Sequence, residues 1–146
     1  MKDFVEANIR VRYAETDQMG VVYHSNYFIW FEVGRVELCR HLGFEYKQME
    51  TDEDSFLVVA DAHCRYKRPA RFDDVLTVRT WVSESQRRTV KFEYEIYNSE
   101  RQVIAAGYTT HVVCDHLGRP KSLPDKYRKY FPSSARPAPE PAHTQP

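Results

Sequence analysis

The chain has 146 residues, 21 basic and 21 acidic, for a formal charge of zero; the length fits one domain, and the charge balance gives no reason to expect a nucleic-acid or anionic-membrane partner. Aromatic residues reach 14%, which excludes disorder over the whole chain. No apolar run approaches the roughly 18 residues of a membrane span, and the start, Met1-Lys2-Asp3-Phe4, lacks the apolar stretch of a secretion signal.

Ile9, Val11 and Tyr13 alternate with Asn8, Arg10 and Arg12, the period of a half-buried strand over Asn8 to Tyr13. A polar loop follows from Ala14 to Ser25. Tyr27, Phe28, Ile29, Trp30, Phe31, Val33, Val36, Leu38, Cys39 and Leu42 are too dense for a surface helix and predict a helix buried on most sides. Asn26 is placed to cap its start and Gly43 to end it. Gly34 inside the helix is unfavourable by about 1 kcal/mol against Ala, which predicts close packing against a sheet. Glu45 to Thr51 predicts a short helical turn.

The remainder reads as strand after strand: Phe56 to Tyr66, Val75 to Val82, Val90 to Tyr97 and Val103 to Cys114. The linkers 83–88 and 98–101 are short and polar, as in antiparallel hairpins, and Asp115-His116-Leu117-Gly118 is a turn signal. One helix cannot cover both faces of a five-stranded sheet, so a second copy of the chain is expected on what remains. Residues 1–131 form the predicted domain. Residues 132–146 carry five prolines and almost nothing large and apolar, which predicts a disordered tail.

Cys39, Cys64 and Cys114 are odd in number and widely spaced, which fits reduced thiols in a cytoplasmic protein better than a disulfide framework or a zinc site. His63 and His111 read as sheet residues and His116 as an exposed turn residue, with no metal-ligand spacing among them. The chemistry concentrates in Tyr13 to Tyr27, YAETDQMGVVYHSNY. A helix N-terminus offers free N–H groups and a positive dipole end, which can polarise a carbonyl oxygen. A carboxylate beside it can act as a nucleophile or as a base on water. Asp17 with the backbone around Tyr23 and His24 therefore makes a minimal acyl-transfer site. The alternative reading of Asp17 is a turn residue, of His24 a capping or surface histidine, and of Glu15 a solvated acid.

The segment Arg12 to Arg35, with Thr16-Asp17-x-x-Gly20-Val21-Val22-Tyr23-His24-x-Asn26-Tyr27 at its centre, resembles the hotdog-fold acyl-CoA thioesterases of the 4-hydroxybenzoyl-CoA thioesterase-like and YbgC-like branch. Two further stretches match, Tyr66-x-Arg68-Pro69-Ala70-x-Phe72-Asp73-Asp74 and Gly107-x-Thr109-x-His111-Val112-x-Cys114-Asp115. The resemblance implies an α+β hotdog fold, an antiparallel five-stranded sheet wrapped around one long central helix, in dimers or tetramers whose pocket lies between subunits. It implies hydrolysis of a thioester to free CoA and a carboxylic acid, with Asp17 as the essential acid. Tyr23 and His24 supply the carbonyl-polarising backbone, and His24 assists. Gly20, Val21, Asn26 and Tyr27 shape the loop and helix start. Arg87 and Arg88 resemble the basic turn that meets the nucleotide phosphates, with Lys67, Arg68 and Arg71 as weaker candidates. No separate cofactor or metal is implied, coenzyme A being part of the substrate. A hotdog hydratase or dehydratase and a non-catalytic acyl-thioester binding protein are the competing readings.

Overall fold

The computed structural model describes residues 4–131; the proline-rich segment read as a tail, 132–146, lies outside the described residues. In chain order come β1 (Phe4–Arg10), a single 3-10 turn (Tyr13–Glu15), α1 (Asn26–Leu42), α2 (Tyr46–Glu53), β2 (Phe56–Tyr66), β3 (Val75–Ser85), β4 (Thr89–Tyr97), β5 (Val103–Cys114) and α3 (Asp125–Arg128). The strands form one sheet in the order β1-β3-β4-β5-β2, every pairing antiparallel. This is the α+β arrangement that the resemblance implies.

Two predicted strands, Phe56–Tyr66 and Val103–Cys114, have the observed bounds. The first strand does not: it runs from Phe4 to Arg10, four residues earlier than expected at its start and three at its end. Its pairing with β3 begins at Phe4 opposite Trp81 and carries Glu6, Asn8 and Arg10 on one face. They alternate with the half-buried Val5, Ala7 and Ile9, so the period of two starts before Asn8. Beyond the strand, Val11 keeps the contact through its N–H to Asp74 O at 2.9 Å, and the chain then turns at Tyr13.

Helix α1 buries one broad face within the chain rather than most of its surface. Tyr27, Trp30, Phe31, Gly34, Arg35, Leu38 and Cys39 are buried, at the three- and four-residue spacing of a single stripe, while Ile29 is half exposed. A single sheet lies against only one side of a helix, so Phe28 and Leu42 at the margins are only partly buried against the core and Ile29 stays open. Phe31 stacks on Tyr94 of β4 with ring centroids 4.1 Å apart and planes 4° off parallel. Gly34 meets β3 so closely that a Cβ there would lie 2.1 Å from Thr80 Oγ1, which is the close packing the sequence predicted. Gly43 ends the helix at φ 116°.

The far end of α1 is sealed by Phe44, Tyr127, Tyr130 and Phe131, whose rings cluster edge-on or tilted. Inside, a row of hydrogen bonds crosses from helix to sheet. Arg35 donates to Tyr94 Oη at 3.2 Å, and Tyr94 Oη and Thr109 Oγ1 lie 2.6 Å apart. Thr109 Oγ1 is 2.8 Å from His111 Nε2, and His111 Nδ1 is 3.1 Å from Leu57 O. A carbonyl only accepts and a guanidinium only donates. The directions are therefore fixed, with Nδ1–H of a neutral His111 donating to Leu57. Edge strand β2 is the least covered: Val58 and Val59 are nearly half exposed.

Candidate active site

The loop before α1 is built around its own backbone. Thr16 and Val22 form an antiparallel bridge, as do Val21 and Arg71. Asp17 N–H donates to Val21 O at 2.8 Å, and Gly20 N–H donates back to Asp17 O at 3.0 Å. Gly20 takes φ 83°, a left-handed conformation that a side chain resists. The turn aims the Asp17 side chain: its Oδ1 accepts N–H groups of Met19 at 2.8 Å and of Val21 at 3.3 Å. No described residue engages Oδ2.

Glu15 holds the other end of this loop. Expected to be solvated, it is instead buried at 5% exposure. Its carboxylate accepts the Arg12 N–H at 2.7 Å, the Arg12 guanidinium at 3.0 Å and the Trp30 indole at 3.3 Å. Desolvation pushes its carboxyl up, but these donors outweigh it and hold it below the ordinary carboxylate value. Its carbonyl accepts from Tyr23 N–H and from Asn26 Nδ2, both at 2.9 Å. Asn26 is therefore not the cap: Ser25 occupies that position, and no side chain caps the helix. The polar stretch Arg12 to Glu15 gave no apolar pattern from which burial could be read. The one available signal was Trp30, an indole N–H that needs an acceptor once buried.

The Tyr23 N–H is thus taken, contrary to its expected place among the carbonyl-polarising donors. The N–H groups of His24 and Ser25 meet no acceptor among the described residues. The His24 ring lies 4.5 Å from that of Tyr23, and Tyr66 Oη donates to His24 O at 3.0 Å.

A cleft of about 410 Å³ opens here. Asp17, Val21, Tyr23, His24 and Tyr27 line it, together with Tyr66, Lys67 and Arg68 from the end of β2 and the turn after it. The structure thus brings together most of the residues singled out in the first motif. Tyr27 and Trp30 pack edge to face at 5.0 Å and are buried with Phe31 as core. Arg87 and Arg88 are not in this group. Their hairpin adjoins Thr89, which pairs with Val112 and through it with Val58, whereas the cleft adjoins Tyr66. From Val58 to Tyr66 β2 covers about 25 Å. Arg87 Nε donates instead to Ser122 Oγ at 3.1 Å.

Of the described cysteines and histidines, His24 alone is among the residues lining the cleft. Cys39 and Cys114 are buried and Cys64 half-buried; burial pushes the Cys39 thiol up to about 12 and Cys64 to about 11. His63 stacks with Tyr108 at 5.4 Å, and the ring of His116 sits 3.1 Å from the Asp54 carboxylate. Among the described residues no three His, Cys, Asp or Glu side chains could hold a metal ion, and no helix is long and apolar enough to cross a membrane.

With this geometry in place, comparison with known proteins gives a consistent picture. The profile of the thioesterase-like superfamily matches residues 11–143. YneP of Bacillus subtilis is 38% identical over 124 residues, 85% of this chain and 87% of that protein. The acyl-CoA thioester hydrolase YbgC of Escherichia coli O6:H1 is 32% identical over 117 residues, 80% of this chain and 87% of its own. Among solved structures, the DHNA-CoA thioesterase of Staphylococcus aureus superposes with a TM-score of 0.82 at 33% identity, over 87% of this chain and 85% of its own.

Proposed function

Since the chain belongs to the thioesterase-like superfamily, it is a thioester hydrolase, and we propose that it cleaves an acyl-CoA with Asp17 and the start of α1 as the reacting site. The observation that carries this reading is the pairing of an oriented carboxylate with an uncapped helix start in one cleft. The thioester oxygen takes the free N–H groups of His24 and Ser25, where developing negative charge also meets the positive end of α1. Asp17 attacks the carbonyl carbon through Oδ2, or draws a proton from a water that does so. The C–S bond breaks and coenzyme A leaves as the thiolate. On the first route water then cleaves the Asp17–acyl anhydride; on the second the water oxygen is already on the carbon. In both, that oxygen ends in the carboxylic acid while a proton of the water ends on the thiol. His24, on the cleft wall, assists by positioning water or the thioester. Gly20 and Val21 keep the loop closed on Asp17, and Asn26 and Tyr27 hold the helix start.

The working unit in this reading is a dimer or a tetramer. A second copy pairing along the open edge of β2, antiparallel to the first, carries its own Arg87–Arg88 hairpin toward the cleft end of the strand. There the two guanidinium groups suit the phosphates of coenzyme A.

The test is thiol release from a panel of acyl-CoAs by the wild type, Asp17→Asn and His24→Ala. Asp17→Asn keeps size and shape but is a poor nucleophile and base, so kcat falls by about 10²–10⁴ with KM little changed. His24→Ala lowers it by about tenfold to a hundredfold. A folded Asp17→Asn with wild-type turnover would return Asp17 to the role of a turn residue and overturn the mechanism.

A further inference from the structure

Tyr66 reaches the helix start from a different element. It is the last residue of β2, lines the same cleft as Asp17 and His24, and donates its hydroxyl to His24 O at 3.0 Å. The only other donor to that carbonyl among the described residues is Tyr27 N–H, at 3.3 Å. The ring is seated as well: it meets Tyr27 edge to face at 5.0 Å and His24 at 6.3 Å, both nearly perpendicular. Ring and hydroxyl together leave little freedom in where the His24 carbonyl points.

In a planar trans peptide the C=O of one residue and the N–H of the next point in opposite directions. Holding the His24 carbonyl back toward Tyr66 and α1 therefore turns the Ser25 N–H outward from the start of the helix. That N–H meets no acceptor among the described residues. No side chain caps α1, so that N–H stays available while the tyrosine holds the carbonyl side of the same peptide.

We propose that Tyr66 is a positioning residue for the thioesterase reaction, its hydroxyl fixing the His24–Ser25 peptide so that the Ser25 N–H meets the thioester oxygen. This rests on the proposed role of the helix start and adds the residue that orients it. Tyr66 touches no reacting atom in this account. Its effect is on a donor whose bond to the oxygen strengthens as negative charge develops, so it acts on the chemical step more than on binding.

Tyr66→Phe retains the ring contacts and removes only the hydroxyl. The expected result is a fall in kcat of about tenfold or more, less than the 10²–10³ of an oxyanion donor removed outright, with KM within about twofold. The amide resonance of Ser25 in a ¹⁵N–¹H spectrum should move, and the urea midpoint should stay near wild type. Unchanged kcat, or a raised KM at unchanged kcat, would overturn the assignment, the latter by making Tyr66 a plain substrate contact. Asp17→Asn run alongside separates the two claims. An inactive Asp17→Asn with a fully active Tyr66→Phe sinks only the role of Tyr66, whereas an active Asp17→Asn sinks the reading of the site itself.

Discussion

Trp30 Nε1 donates to Glu15 Oε2 at 3.3 Å, so a core residue of α1 anchors the segment from which the Asp17 loop departs. The Glu15 carbonyl in turn receives the returning chain at Tyr23 and the helix start at Asn26. One residue thus joins the core, the loop and the helix.

Glu15→Gln preserves this shape but places an amide where three donors converge. Loss of a buried, charge-assisted acceptor destabilises by about 1–3 kcal/mol, read as a lower urea midpoint, and kcat falls with it. The sign with pH follows from the lowered carboxyl: its contribution is complete above the ordinary value near 4.5 and is lost as the pH falls through the folded value. The variant should therefore lose less stability than wild type on acidification from about 4.5 down to the folded value.

His111 acts at higher pH. Burial first, then the nearby Arg35 charge, lowers it from 6.5 to about 4 despite the bond to Leu57 O. Below 6.5 the unfolded chain takes up a proton that the folded chain refuses, so stability falls from there to about 4 and then levels. The full effect is about 3 kcal/mol. Urea unfolding between about pH 7 and about pH 4.5 should show this slope, and His111→Gln should flatten it. A wild-type midpoint constant over that range would mean that His111 titrates normally.

Gly34→Ala tests the seat of the helix. Alanine improves helix propensity by about 1 kcal/mol, yet its Cβ would lie 2.1 Å from Thr80 Oγ1 and 3.0 Å from Val78 Cγ1. Overpacking of this kind destabilises by about 1–3 kcal/mol, so thermal unfolding should occur earlier. Adding Thr80→Ala removes the closest atom and should recover part of the loss, measured as a coupling energy between the two sites.

Arg87→Ala with Arg88→Ala should raise KM for an acyl-CoA and leave kcat nearly unchanged, since only uniform binding is removed. The wild-type KM should rise with salt, and the variant's should rise less. An acyl-pantetheine thioester, which lacks the nucleotide phosphates, should show neither effect. Equal losses with both substrates would remove the phosphate role.

The strands were legible where one face is apolar and the ends carry turn residues, as in Val103–Cys114, and α1 announced itself through its density of large residues. Sequence could not tell which apolar residues of α1 lie under the sheet. Ile29 and Phe31 are alike in composition, and only the position of β4 separates them. The Asp17 loop was singled out by its acids and its place before the helix, then matched to a family pattern, and not read from periodicity, because its order comes from backbone-to-backbone bonds that leave no residue preference except Gly20. Glu15 was misread for a related reason: the partners of its carboxylate are an indole fifteen positions onward and the N–H and guanidinium of Arg12, none of which marks an acid as buried. The row from Arg35 to His111 joins residues far apart in the chain and becomes visible only once the sheet is assembled.

The seating of α1 also bears on how the cleft can move. The flat stack of Phe31 on Tyr94 opposes rotation of the helix about its axis, and the contact of Gly34 with Thr80 sets its height above the sheet. A cylinder keyed at both points has little freedom to roll or lift when a substrate enters. The loop from Asp17 to His24 is tied down as well, by its own bridges and by Tyr66. Adaptation to acyl groups of different bulk then falls to the exposed side chains at the mouth of the cleft, Tyr23, Lys67 and Arg68, while the helix end and the carboxylate stay fixed.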